Sequence, residues 1–128
     1  MKELKLLGTI KGKVNHYIYS ATRNTYCILT RNQKEGRGRF FIIHNHELET
    51  VKSNLKSFNK NKFHPEDLKD SIKGLYGSNN LRKKSKQNEY LRSRISEICY
   101  LLCYQRYLKM KKEGNKIYFI KLQKLNKN

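Results

Sequence analysis

The sequence predicts an α+β protein: an antiparallel sheet of three to four strands with one amphipathic helix over residues 1–62, then a helical lobe closed by a β-hairpin over residues 63–128. Three observations lead there. Residues 16–43 carry runs rich in aromatic and β-branched residues, separated by turn-forming stretches. Residues 45–58 switch to a helical period. Residues 88–122 hold a second helical pattern, followed at once by two strand-like runs around Glu113-Gly114-Asn115.

The strands come first. "HYIYSA" (16–21) and "TYCILT" (25–30) flank the turn "TRNT", and "FFIIH" (40–44) follows the longer basic turn "NQKEGRGR". "KLLGTIKGKV" (5–14), interrupted by Gly8 and Gly12, adds a fourth strand. In "NHELETVKSNLKSF", Leu48, Val51, Leu55 and Phe58 fall on one helical face. Asn45 is the expected N-cap, and Glu47 and Glu49 suit the positive end of the helix. "NKNKF" reads as a linker. "HPEDLKDSIKGLYG" then starts a helix with Pro65 in its first turn, and Gly74 or Gly77 ends it. From Asn88 to Tyr104, Leu91, Ile95, Ile98 and Leu102 form a core stripe. Ser93, Ser96, Glu97, Tyr100 and Tyr104 fall on the opposite side, where the two tyrosines suit a homodimer contact. After the hairpin, "QKLNKN" reads as a fraying tail.

Composition narrows the partner. The 128 residues carry 29 Lys and Arg against 10 Asp and Glu, a net charge of +19. Residues 1–62 hold about +9 and residues 63–128 about +10, so the folded surface itself is basic. A polyanion is the expected partner: nucleic acid first, an anionic membrane surface second. Hydrophobic content of 37% and mean hydropathy of -0.89 imply a modest core, while nine tyrosines argue against disorder. No signal peptide is evident, and no stretch reaches the roughly 20 apolar residues of a membrane span. Three cysteines, an odd number, read as reduced thiols of a cytoplasmic protein.

The order of helix, basic turn region, longer helix and two-stranded hairpin resembles a winged helix-turn-helix. The resemblance covers residues 64–122, and "RISEICYLLCYQRYLKMKKEGNKIYFIKL" is its nearest stretch. Arg106 stands where many such domains carry glycine before the first wing strand. The resemblance implies duplex DNA binding and transcriptional regulation, or a role as a DNA-binding accessory. It implies a recognition helix in the major groove whose N-terminal part meets base edges: Ser85, Lys86, Gln87, Asn88, Tyr90 and Arg92. Arg82, Lys83, Lys84 and Arg94 would grip phosphates, and Lys111, Lys112, Asn115 and Lys116 of the wing would follow the backbone.

The first lobe adds Arg23 in one turn and Arg31, Lys34, Arg37 and Arg39 around the other, as guanidinium forks for phosphates. The alternative is an RNA or single-strand binder that stacks Tyr17, Tyr19 and Tyr26 on unpaired bases beside those basic turns. A small metal-dependent nuclease ranks third. "HNH" (44–46) is a strand end and helix cap rather than a spaced nuclease motif. "PEDLKD" keeps its acids within one helical turn. His44, His46, Cys99 and Cys103 have zinc-ligand chemistry, but Cys99 flanks an apolar stripe. The expectation is a non-enzymatic DNA-binding protein without metal or cofactor, and without a membrane partner.

Overall fold

The computed structural model describes residues 4–12, 14–22, 24–32, 38–68 and 84–126, with the side chains of 84–93 outside that description. The order is β1 (Lys5–Ile10), β2 (Val14–Ser20), β3 (Thr25–Asn32), β4 (Gly38–His44), α1 (Asn45–Ser57), β5 (Lys62–Phe63), α2 (Pro65–Leu68), α3 (Lys84–Tyr104), β6 (Leu108–Glu113), β7 (Lys116–Lys121) and α4 (Gln123–Asn126). β1 to β4 form an antiparallel meander, so the "KLLGTI" strand, interrupted by Gly8, belongs to the sheet. The second sheet has the order β5-β7-β6. No helix among the described residues is long and apolar enough to cross a membrane.

Alternation sorts the first sheet into two faces. Ile18 pairs with Ile28, Ile28 with Phe41 and Tyr26 with Ile43, and this face packs inwards. Tyr26 is therefore on the core side, away from the face that carries Tyr17 and Tyr19. β1 has an irregularity between Leu6 and Gly8. A Cβ on Gly8 would stand 2.4 Å from Cε1 of Tyr104, whose hydroxyl donates to the Leu7 carbonyl at 3.0 Å. Glycine here admits the ring.

α1 forms as its periodicity predicts. Leu48, Val51 and Leu55 are buried, and Phe58 meets Phe63 edge-on at 6.2 Å. His44, rather than Asn45, is the N-cap; its backbone N–H donates to Glu47 Oε1 at 3.1 Å. α2 begins at Pro65, and the His64 N–H donates to Asp67 Oδ2 at 3.0 Å.

α3 starts at Lys84, earlier than its apolar stripe. It packs against β1 and β4 on one side and against β6 and α2 on others. Ile95, Ile98, Cys99, Leu101 and Leu102 are wholly buried, and so nearly are Arg94, Glu97 and Tyr100. Glu97 and Tyr100, on the side expected to face solvent, are thus covered as well. Ile18, Ile28, Ile43 and Leu48 share one buried cluster with Ile95, Ile98, Leu108 and Phe119, so residues on both sides of position 62 build the same core.

α3 ends in a left-handed residue. Arg106 has φ 67°, its N–H donates to the Cys103 carbonyl at 3.1 Å, and the Tyr107 N–H donates to the Leu102 carbonyl at 2.9 Å. This is a Schellman cap with arginine in the glycine position. Arg106→Gly should stabilise the protein by about 1 kcal/mol, read from urea unfolding. A loss of stability would mean that the arginine side chain outweighs its backbone strain. The hairpin turns at Gly114, φ 62°, the first central residue of a two-residue loop.

The C-terminal segment does not fray throughout. Gln123–Asn126 is helical, Leu125 is wholly buried in the common cluster, and Lys124 Nζ donates to the Gln105 carbonyl at 2.9 Å. Burial of Leu125 and the Lys124 hydrogen bond together dock this turn.

The three cysteines are free thiols. Burial pushes all of them up: Cys27 moderately, Cys103 to about 12, and Cys99 well above its ordinary value. The thiolate is the reactive form. Native protein at pH 8 should therefore react slowly with a disulfide reagent and release all three thiols on unfolding. Fast modification of the native chain would contradict this burial.

Candidate nucleic-acid interface

The β6–β7 hairpin has an anchored face and a charged face. Met110 pairs with Phe119, and Lys112 with Ile117. Phe119 is buried between Phe63 (6.0 Å, tilted) and Tyr100 (5.3 Å, edge-on). The neighbouring positions place Lys109, Lys111, Glu113, Lys116 and Tyr118 on the other face. Lys111, Lys112, Asn115 and Lys116 are all exposed.

Glu113 moderates this cationic face. Its Oε1 accepts from Lys62 Nζ at 2.8 Å, and its Oε2 lies 3.7 Å from Lys111 Nζ. The Lys62 hydrogen bond is the main reason the Glu113 carboxyl is held low and the Lys62 ammonium is pushed up. Both groups are open to water, so the pair is a modest, salt-sensitive contact.

Lys84, Lys86, Gln87, Asn88, Tyr90 and Arg92 all lie on α3, with Ser85, but their side chains are outside the described part. Arg82 and Lys83 lie outside the described residues altogether, as do Arg23, Lys34 and Arg37. Arg94 requires a correction. It is 8% exposed, and its Nε and Nη2 donate to Glu47 Oε2 and Oε1, both at 2.6 Å. Nη2 also donates to the Ile42 carbonyl. Arg94 ties α3 to α1 and β4 inside the protein and presents no guanidinium to a phosphate. Arg39 is exposed at the start of β4 and lines a cleft with Thr30.

The tyrosine pair also needs correction. The Tyr100 ring stacks on His16 at 3.6 Å, and Tyr104 is held on Leu7. Burial is the chief reason the Tyr100 hydroxyl holds its proton far above the ordinary range. Tyr100 is turned into the core, while Tyr104 is half-buried against Leu7, so the two do not form the fully exposed pair that the spacing implies.

Sequence reasoning passed over His16 and Glu97. His16 Nδ1 and Glu97 Oε1 lie 2.8 Å apart, both residues buried. They stand 81 positions apart, which no local period reveals. One signal was available: alternation puts His16 on the same strand face as Ile18, and so towards the core. The pair borders a cleft of about 790 Å³ between the first sheet and the hairpin.

The zinc-type residues are dispersed in environment. His44 and His46 are exposed and stack on each other at 5.7 Å, whereas Cys99 is wholly buried. Among the described residues no group of three His, Cys, Asp or Glu side chains could hold a metal ion. Glu66 and Asp67 sit in the first turn of α2.

Comparison of the chain with protein-family models, with characterised proteins and with solved structures finds no match.

Proposed function

We propose that the protein binds nucleic acid, duplex DNA before other forms, and serves as a transcriptional regulator or a DNA-binding accessory. The contact surface is the N-terminal part of α3 together with the β6–β7 hairpin, in the manner of a winged helix. The observation that carries this reading is strand order. β5 precedes α2 and α3, yet pairs with β7, the returning strand of the hairpin. A helix, a short strand, two helices and a hairpin in that order, with the first strand beside the last, support a winged-helix reading. The exposed Lys111, Lys112, Asn115 and Lys116 at the hairpin, and the net charge of +19, support the same reading. The left-handed Arg106 supports it too, because it supplies the turn that glycine makes in many such domains.

A second reading has its own observation. On the outer face of the first sheet, Thr9, Tyr17, Leu29 and Phe40 align across the four strands, as do Leu6, Tyr19, Cys27 and Ile42. Phe40 is 53% exposed. Tyr17, Tyr19 and Phe40 are a platform on which unpaired bases can stack, with Arg31 on the same face.

The test is fluorescence anisotropy against duplex DNA, single-stranded DNA and duplex RNA over a salt series. Duplex DNA should bind tightest. Lys111→Ala with Lys116→Ala should flatten the dependence of log K on log salt by about 1.8, at about 0.9 per lost phosphate contact. Glu113→Gln should strengthen binding, since it releases Lys62 and Lys111 from their carboxylate. An unchanged slope in the double variant would remove the hairpin from the interface. Preference for single strands, lost in Tyr17→Ala, would move the function to the sheet.

A further inference from the structure

The cleft between the two sheets has chemistry of its own. Its mouth is cationic from three separate parts of the chain: Lys11 follows β1, Arg39 is the second residue of β4, and Lys112 and Lys116 belong to the hairpin. Its walls are largely apolar, with Ile10, Val14 and Phe41 from the sheet facing Met110 and Ile117 from the hairpin. Its inner end is polar. There Glu97 and His16 are joined at 2.8 Å, with Thr30 and Ser96 supplying hydroxyls and the Tyr100 ring laid on the imidazole. Glu97 is the sole acid among the described residues that line the cleft, in a chain with only ten acids.

This gradient selects a ligand. A cationic mouth attracts an anion, but a carboxylate at the far end repels a second one. The occupant therefore carries its negative charge at one end and hydrogen-bond donors at the other. Short of that end, the flat face of a ring can lie against Phe41 and the aliphatic walls. A volume of about 790 Å³ is that of a small-molecule site. Glu97 Oε1 is engaged with His16, and Glu97 lines the cleft, so its second oxygen is the acceptor assigned to an incoming N–H group. Carboxylates accept the amino group of cytosine in base recognition, and a guanine edge offers similar donors.

We infer that this cleft is a nucleotide-binding site: it takes one nucleoside phosphate with an amino-bearing base, phosphate at the Lys11–Lys112 mouth and base edge at Glu97. The site is separate from the duplex surface on α3. It shares the hairpin with that surface through Lys112 and Lys116, so an occupied cleft can bias how the hairpin meets DNA.

Calorimetric titration of the full chain with CMP, GMP and UMP tests the assignment, with inorganic phosphate as the control for plain anion binding. CMP and GMP should bind saturably at one site per chain, about tenfold tighter than UMP, which lacks the amino group, and tighter still than phosphate. Lys11→Ala, an exposed change that spares the core, should weaken all three nucleotides. Glu97→Gln should abolish the preference over UMP, and its thermal melt reports whether it has folded. Neither residue belongs to the proposed duplex interface, so failure here and failure of the DNA reading are separable. Competition with a short duplex then tells a free nucleotide from a strand end as the source, and either agrees with the site. Phosphate binding as well as CMP, or a Lys11→Ala variant with unchanged nucleotide affinity, would overturn the inference.

Discussion

Arg94→Ala should lower the free energy of unfolding by about 3–5 kcal/mol, the cost of leaving a buried carboxylate without its partner. Glu47 is 3% exposed, and two of Arg94's nitrogens meet its two oxygens at 2.6 Å. With the guanidinium gone, Glu47 keeps the His44 N–H as a donor and loses its counter-charge. The Ile42 carbonyl loses a donor as well. Glu47→Leu with Arg94→Met should recover most of the loss, because an apolar pair of similar volume removes both charges together. Guanidinium denaturation of the two variants and the native chain measures this. A cost below about 1 kcal/mol for Arg94→Ala would mean that the pair behaves as a surface contact. The result also bears on function. Because Arg94 is held inside the protein, any loss of DNA binding in its variants should track the unfolded fraction.

Phe119→Ala should cost a similar amount, about 3–5 kcal/mol, and should act on the hairpin in particular. Phe119 is 1% exposed, sits on β7 opposite Met110, and packs between Phe63 and Tyr100. Removing the ring opens a cavity where the hairpin, β5 and α3 meet. Native-state hydrogen exchange should then show β6 and β7 opening below the global unfolding free energy. A double-mutant cycle of Phe119→Leu and Tyr100→Leu should return a coupling of about 0.5–1.5 kcal/mol from the edge-on rings. Exchange that stays uniform across the chain would show that the hairpin does not depend on this anchor. The two predictions concern the middle and the C-terminal part of one helix. Arg94 secures α3 to α1 and β4, and Tyr100 with Phe119 secures it to the hairpin.

Local pattern was a sound guide where one face of an element meets the core and the other meets water. α1 is such a case: Leu48, Val51 and Leu55 are buried as their spacing implies. The first-sheet strands and the β6–β7 turn at Gly114 are others, since both depend on neighbours in the chain. The same logic misplaced the polar side of α3. Glu97, Tyr100 and Arg94 break the apolar stripe and so suggest a wet face, yet a second layer of structure covers them. What satisfies each polar group lies far along the chain: Glu47 for Arg94, His16 for Glu97 and Leu7 for Tyr104.

The sequence by itself determined the α+β class, the amphipathic helix after the strands, the hairpin and the strong positive charge. Those follow from period, turn chemistry and composition, which act over a few residues or over the whole chain at once. The tertiary structure alone decided that residues on both sides of position 62 share one core, that Arg94 and Tyr100 turn inwards, and that His16 and Glu97 meet at a cleft. Those outcomes depend on which elements pack together. Burying a charge costs so much that packing and pairing must be settled jointly. A pattern read along one helix gives the stripe that is buried first, but not the partners that allow the rest of the helix to follow.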